Sequence, residues 1–191
     1  MNPDSFSQDP SDPLELILAS FSREAVRSLL NLQDHSILLH KINPDSQPIQ
    51  NHLCHISLHG DILSVNFRLH ITQKQIEKIL EGSFSKTLTY NEILDWGKEF
   101  CNVVAGYVSR IMQQSNSKIE YSLPITTPAY FLALSQETYH SEKKASWKIT
   151  TPFGPLICSF CASRFEPSLD FLSITANQIK NTTLPQDPEF L

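Results

Sequence analysis

The sequence predicts an α+β fold: a mostly antiparallel sheet with two long helices packed on one face. Two blocks, each a helix followed by short antiparallel strands, run in succession, and the clearest alternation folds back on itself as a hairpin at Gly60-Asp61. With 191 residues, 40% hydrophobic and 18% charged, the chain can form one domain with a sizeable core. That composition excludes wholesale disorder, a coiled coil and a collagen-like chain. The two blocks also read as a distant internal duplication, although no residue-level repeat is visible.

The elements follow in order. Asp12, Pro13 and Glu15 make an N-cap, an N1 proline and an N3 carboxylate. They open an amphipathic helix through Leu16, Ile17, Phe21, Val26 and Leu30, with Ser22 the place where a break would fall. Ser36 to Ile42 is apolar enough for a strand, and Pro44 and Pro48 mark a loop. Cys54, Ile56 and Leu58 alternate with polar residues, as do Leu63, Val65, Phe67, Leu69 and Ile71 after the turn, which predicts a half-buried hairpin. Thr72 and Gln75 form a capping box for a short helix ending at Gly82, and Thr89 with Glu92 forms a second box for a long helix to about Gln114.

Four more strands are expected. Ile119, Tyr121, Leu123 and Ile125 alternate with polar residues around Pro124, which marks an edge or a strand end. Tyr130 to Leu134, Trp147 to Ile149 and Leu156 to Ala162 complete the set. Residues 168–180 stay open between helix and strand. Residues 13–180 are thus expected to form one domain, with flexible ends at 1–12 and 181–191 rich in proline and polar residues.

Composition excludes several functions. Fifteen basic against twenty acidic side chains leave a net charge of −5 and a pI near 5.8, which predicts neither nucleic-acid nor membrane partners. Met1 to Pro13 has no basic n-region or apolar h-region, so a cytoplasmic protein is expected. Glycines only at 60, 82, 97, 106 and 154 exclude a Gly-rich phosphate-binding loop. The Asn181-Thr182-Thr183 sequon reads as polar tail.

No metal site is expected. Cys158 and Cys161 lie three apart on a strand, so they face opposite sides, and His52, Cys54 and His55 read as ordinary strand residues. A metal-dependent hydrolase is disfavoured because the seven histidines show no ligand spacing on a helix.

In the helix 90–114, Ile93, Trp96, Phe100, Val103, Val104, Tyr107 and Ile111 project onto one apolar face. Asp95, Glu99, Asn102, Gly106, Ser109 and Gln113 fall within an arc of roughly 80° on a polar edge. Glu99 and Asn102 stand one turn apart, and Gly106 a turn further leaves room for a partner to approach. Spacing alone favours a solvated helix face.

The stretch Asp95-Trp96-Gly97-Lys98-Glu99-Phe100-Cys101-Asn102-Val103-Val104-Ala105-Gly106 resembles the D-x-x-x-E-x-x-N motif, with a glycine four residues after the Asn, of the CheC/CheX/FliY chemotaxis phosphatases. Upstream, the strand, Gly60 turn, strand and short helix of His55 to Leu80 look like the segment preceding that helix in CheX. Downstream, Ser122-Leu123-Pro124 is similar to the S-L-P that follows it, so about 53–160 is covered. Two departures stand out: Lys98, not glycine, directly precedes Glu99, and no glycine follows the S-L-P closely.

The resemblance implies a CheC-like fold and a CheX-like phosphatase that hydrolyses the aspartyl phosphate of a CheY-like response regulator. Asn102 would then orient the attacking water and Glu99 would pair with a regulator lysine, with Asp95 and Gly106 in supporting roles. No cofactor of its own is implied; Mg2+ would sit on the regulator. A homodimer joined through the sheet is also implied. CheC carries a second E-x-x-N on its first helix, but the corresponding residues here are Glu24-Ala25-Val26-Arg27, which predicts a single site. The alternative is a catalytically silent interaction module of the same fold.

Overall fold

The computed structural model describes residues 12–33, 36–42, 52–72, 74, 77–79, 81, 89–128 and 143–183. The Pro44 to Pro48 loop, Gln75 of the first capping box, Gly82, the strand through Tyr130, Leu132 and Leu134, and segments 1–11 and 184–191 lie outside the described residues. In chain order the elements are α1 (Pro13–Leu30), β1 (Leu38–Ile42), β2 (His52–Gly60), β3 (Leu63–Ile71), α2 (Tyr90–Gln114), β4 (Ile119–Tyr121), β5 (Ile125–Pro128), β6 (Lys143–Thr151), β7 (Gly154–Phe165) and α3 (Leu169–Thr183). Residues 74, 77–79 and 81 are also helical.

The strands form one antiparallel sheet in the order β1-β6-β7-β3-β2-β4, with β5 also paired to β2. This order reads the same from either end. Each half is a helix, an outer strand and a hairpin, and the second strands of the two hairpins, β3 and β7, meet at the centre. The two halves thus share one topology.

The β2–β3 hairpin follows its period. Leu63, Val65, Phe67, Leu69 and Ile71 are buried while the residues between them are half-buried. On the inner face Phe67 lies 6.1 Å from both Phe100 of α2 and Trp147 of β6, and Trp147 lies 6.3 Å from Phe160. The helices cover this face: α1 and α2 pack on each other and on the sheet, and α3 packs on both helices.

Several expectations need correction. α1 runs unbroken through Ser22, because the buried hydroxyl donates to the Leu18 carbonyl at 2.6 Å and so needs no gap in the helix. Its N-cap is Asp12, which accepts from the Leu14 amide at 3.0 Å. Glu15 is buried and reaches Lys41 of β1, Oε2 to Nζ 2.7 Å.

The segment left open at 168–180 is helical and continues to Thr183, past the expected boundary at 180. Ser168 Oγ accepts from the Phe171 amide at its start, and Phe171 is buried. The alternation expected across 119–125 also fails. The Ser122 amide still donates to the Ser57 carbonyl at 3.0 Å, but pairing lapses at Leu123-Pro124, β4 and β5 meet opposite ends of β2, and Tyr121, Leu123 and Ile125 are 51%, 84% and 54% exposed. Proline lacks the amide to continue a ladder, so Pro124 ends one strand and both pieces stay at the edge.

Candidate functional site

α2 carries the site. Its capping box is complete: Thr89 Oγ1 accepts from the Glu92 amide at 3.3 Å, and Glu92 Oε2 accepts from the Thr89 amide at 2.7 Å. These bonds fix the start of a 25-residue helix and thereby the direction of every side chain along it.

The buried stripe is centred differently from the one periodicity alone selects. Ile93, Phe100, Val104 and Ile111 are buried as expected, but Trp96, Val103 and Tyr107 lie on a half-buried margin. Gly97, Cys101, Ala105 and Val108 are buried instead. The reason is a close approach. A Cβ on Gly97 would stand 2.5 Å from Ile71 Cδ1 and 2.6 Å from Cys54 Sγ, so only a glycine lets the helix sit this near the hairpin. The margin faces α1, where Tyr107 stacks on Phe21 at 5.5 Å. Small residues at i, i+4 and i+8 were the signal for this seam.

On the opposite side of the helix, Asp95, Glu99 and Gly106 are exposed and Asn102 is half-buried. Glu99 and Asn102 are one turn apart, about 5–6 Å between Cβ atoms. Neither forms a hydrogen bond or ion pair among the described residues. A Cβ on Gly106 would meet nothing within 4 Å, so the surface beyond Asn102 is open. Ser109, expected on the same edge, is buried, and its hydroxyl accepts from Gln113 Nε2 at 3.4 Å. The polar edge narrows toward the end of α2, where residues 114–116 share a small cleft with Ser173 and Ile174 of α3.

Asp95 is engaged: Lys98 Nζ lies 2.9 Å from its Oδ1, and this bond raises the lysine pKa. The charge that Lys98 brings next to Glu99 is thus matched by Asp95. Beneath them Cys54 is inert. Burial pushes its thiol up to about 11, with Thr126 Oγ1 at 3.3 Å, so it stays protonated at neutral pH. His55 points to the other face of the sheet and meets Thr127 Oγ1 at 2.9 Å, which separates it from Cys54. Cys158 is buried in the core while Cys161 is half-buried on that other face.

The counterpart on α1 is built differently. Arg27 Nε donates to both carboxylate oxygens of Glu24, at 3.1 and 2.9 Å. The carboxylate there is buried and already satisfied by its own helix.

No family model matches the sequence, and no curated protein matches it. Among solved structures, the chain superimposes on one in the CheX-CheY-BeF3-Mg2+ complex from Borrelia burgdorferi with a TM-score of 0.59 and 12% identity, covering 79% of this chain and 97% of that one. A CheC-like chemotactic protein from Shewanella oneidensis gives a TM-score of 0.56 at 14% identity, over 78% and 99% of the two chains. Chemotaxis protein CheX from Vibrio vulnificus gives 0.56 at 14%, over 78% and 98%. The expected CheC-like fold is therefore the fold of this chain. Among the described residues no helix is long and apolar enough to cross a membrane.

Proposed function

We propose that this protein is a chemotaxis phosphatase that hydrolyses the aspartyl phosphate of a CheY-like response regulator. The observation that carries the reading is the exposed Glu99 with Asn102 one turn on, both without partners among the described residues, while the equivalent Glu24 is closed by Arg27. In this reading the Glu99 carboxylate pairs with a lysine of the regulator, and the Asn102 amide holds a water in line with the phosphorus. The water oxygen bonds to phosphorus as the bond to the aspartyl oxygen breaks, releasing phosphate and the regulator's carboxylate. No covalent intermediate forms on this chain. Positioning suffices because phosphoryl transfer asks little covalent work of the protein.

Magnesium belongs to the regulator in this mechanism, and the chain supplies no cofactor. Asp95 supports the site by pairing with Lys98, and Gly106 leaves space for the regulator's backbone. The setting is the cytoplasm, where such regulators work. The protein acts as a homodimer joined through the β4–β5 edge, whose exposed Tyr121, Leu123 and Ile125 need a cover.

A second reading has one observation in its favour. Lys98, paired with Asp95, directly precedes Glu99 where the phosphatase motif has glycine, which would suit a catalytically silent CheC-fold module that binds a regulator without turning it over. One experiment separates the two: incubation with phosphorylated CheY-like receivers from the same genome, followed by loss of phosphate. Accelerated loss supports the phosphatase; binding without acceleration supports the silent module.

A further inference from the structure

Five charged side chains lie on α2, and three of them are satisfied within the helix and its cap. Glu92 closes the capping box with Thr89, and Lys98 pairs with Asp95. Glu99 and Arg110 are left, both exposed and neither with a hydrogen bond or ion pair among the described residues. Their separation of eleven residues is three helical turns to within about 20°, so two charges of opposite sign stand on one stripe, about 16 Å apart along the axis. Gly106 lies between them on the same stripe, with nothing within 4 Å of a Cβ built there.

Arg110 is held in position. Its guanidinium carbon lies 5.7 Å from the centre of the Tyr107 ring, and that ring is itself stacked on Phe21 of α1 at 5.5 Å. A long cation restrained over a fixed ring loses less freedom on binding than one that moves freely in solvent. Glu24 of α1, whose charge also reaches Tyr107, does not take the guanidinium, because both of its oxygens accept from Arg27. The helix face that holds Glu99 and Asn102 thus ends in a placed positive charge.

What that charge meets follows from distance. Arg110 is eight residues from Asn102, about 12 Å along the axis. A phosphoryl group at Asn102 is only a few Å across, and drawing the guanidinium toward it would break the contact with Tyr107. A carboxylate on the surface of the regulator fits instead, as Glu99 fits a lysine. We propose that Arg110 is a specificity-determining residue of this site: it meets an acidic side chain of the response regulator, and together with Glu99 it fixes the direction in which the regulator lies across α2. A regulator docked the other way along the stripe would set like charges against each other at both ends. This inference rests on the reading of α2 as the regulator-binding face.

The test is titration of the full chain with a beryllofluoride-activated CheY-like receiver from the same genome, beside steady-state phosphate release from the phosphorylated receiver. Arg110→Glu should weaken binding and raise KM on the order of tenfold while kcat stays within about twofold, and the loss should shrink as salt is added. Arg110→Gln should fall between, and Arg110→Lys should retain most of the affinity. Lys144→Glu makes the same change in net charge on the far side of the sheet and should leave binding unchanged. Equal affinity in the wild type and Arg110→Glu overturns the proposal, as does an equal loss in Lys144→Glu, which would make the effect one of net charge. A fall in kcat at constant affinity also overturns it, in favour of contact with the phosphoryl group, and tighter binding by Arg110→Glu overturns it in favour of a cover from within the chain. A wild type that binds a receiver without accelerating phosphate loss removes the phosphatase reading and leaves the affinities of the variants to decide this one; a wild type that binds no receiver removes both.

Discussion

Gly97 of α2 faces Cys54 of β2 so closely that a Cβ on the glycine would lie 2.6 Å from the thiol sulfur. Gly106, nine residues further along the same helix, has nothing within 4 Å of the same atom. Glycine costs a helix interior about 1 kcal/mol relative to alanine, so each must be explained by its surroundings.

Gly97→Ala should therefore destabilise the fold by about 1–2 kcal/mol, overpacking at Cys54 and Ile71 outweighing the gain in helix propensity. Gly106→Ala should stabilise by up to about 1 kcal/mol. It should also slow regulator dephosphorylation, by placing a methyl where the regulator approaches. Urea melts of the two variants against the wild type check both signs.

Asn102→Ala should reduce accelerated dephosphorylation by about a hundredfold or more while changing stability by no more than about 0.5 kcal/mol. Glu99→Ala should instead weaken capture of the regulator by about tenfold as well as slowing turnover, since an intermolecular ion pair is lost. Phosphate release and titration with a beryllofluoride-activated receiver measure these separately. Full activity in the Asn102 variant would remove the catalytic assignment.

His70 should make stability depend on pH. Burial first and the charge of Arg68 second bring its pKa down from 6.5 to about 4. The unfolded chain takes up the proton below about 6.5, the folded protein only near 4. The stabilisation is thus complete above about 6.5 and is lost as pH falls toward 4, by up to about 3 kcal/mol. His70→Gln should flatten the change in urea midpoint across that window, and an unaltered slope would refute the assignment.

The β4–β5 edge should join two copies. At micromolar concentration sedimentation equilibrium should give the dimer mass for the wild type and the monomer mass for Leu123→Asp, which places a charge on the most exposed apolar side chain of that edge. A wild-type monomer would refute the dimer and leave the phosphatase reading untouched.

Elements whose signals are local can be read from the amino acids alone. Asp12 with Pro13 and Thr89 with Glu92 start their helices because capping bonds span two or three residues, and the β2–β3 hairpin follows from its period. The Glu99–Asn102 spacing was legible for the same reason, as was the difference at Glu24 and Arg27, which are also three apart. α3 was not legible, because its core face includes Thr175, buried with its hydroxyl donating to the Phe171 carbonyl at 2.7 Å, and a polar residue there blurs the apolar period. Which of the two mid-helix glycines is packed and which is open emerges only when the helix meets the sheet. Only the assembled sheet shows that Tyr121, Leu123 and Ile125 face solvent, and that Arg68, Lys144 and Lys148 share its outer face. Each of these depends on strands or helices that meet from distant parts of the chain, and no short-range periodicity records what lies across a sheet.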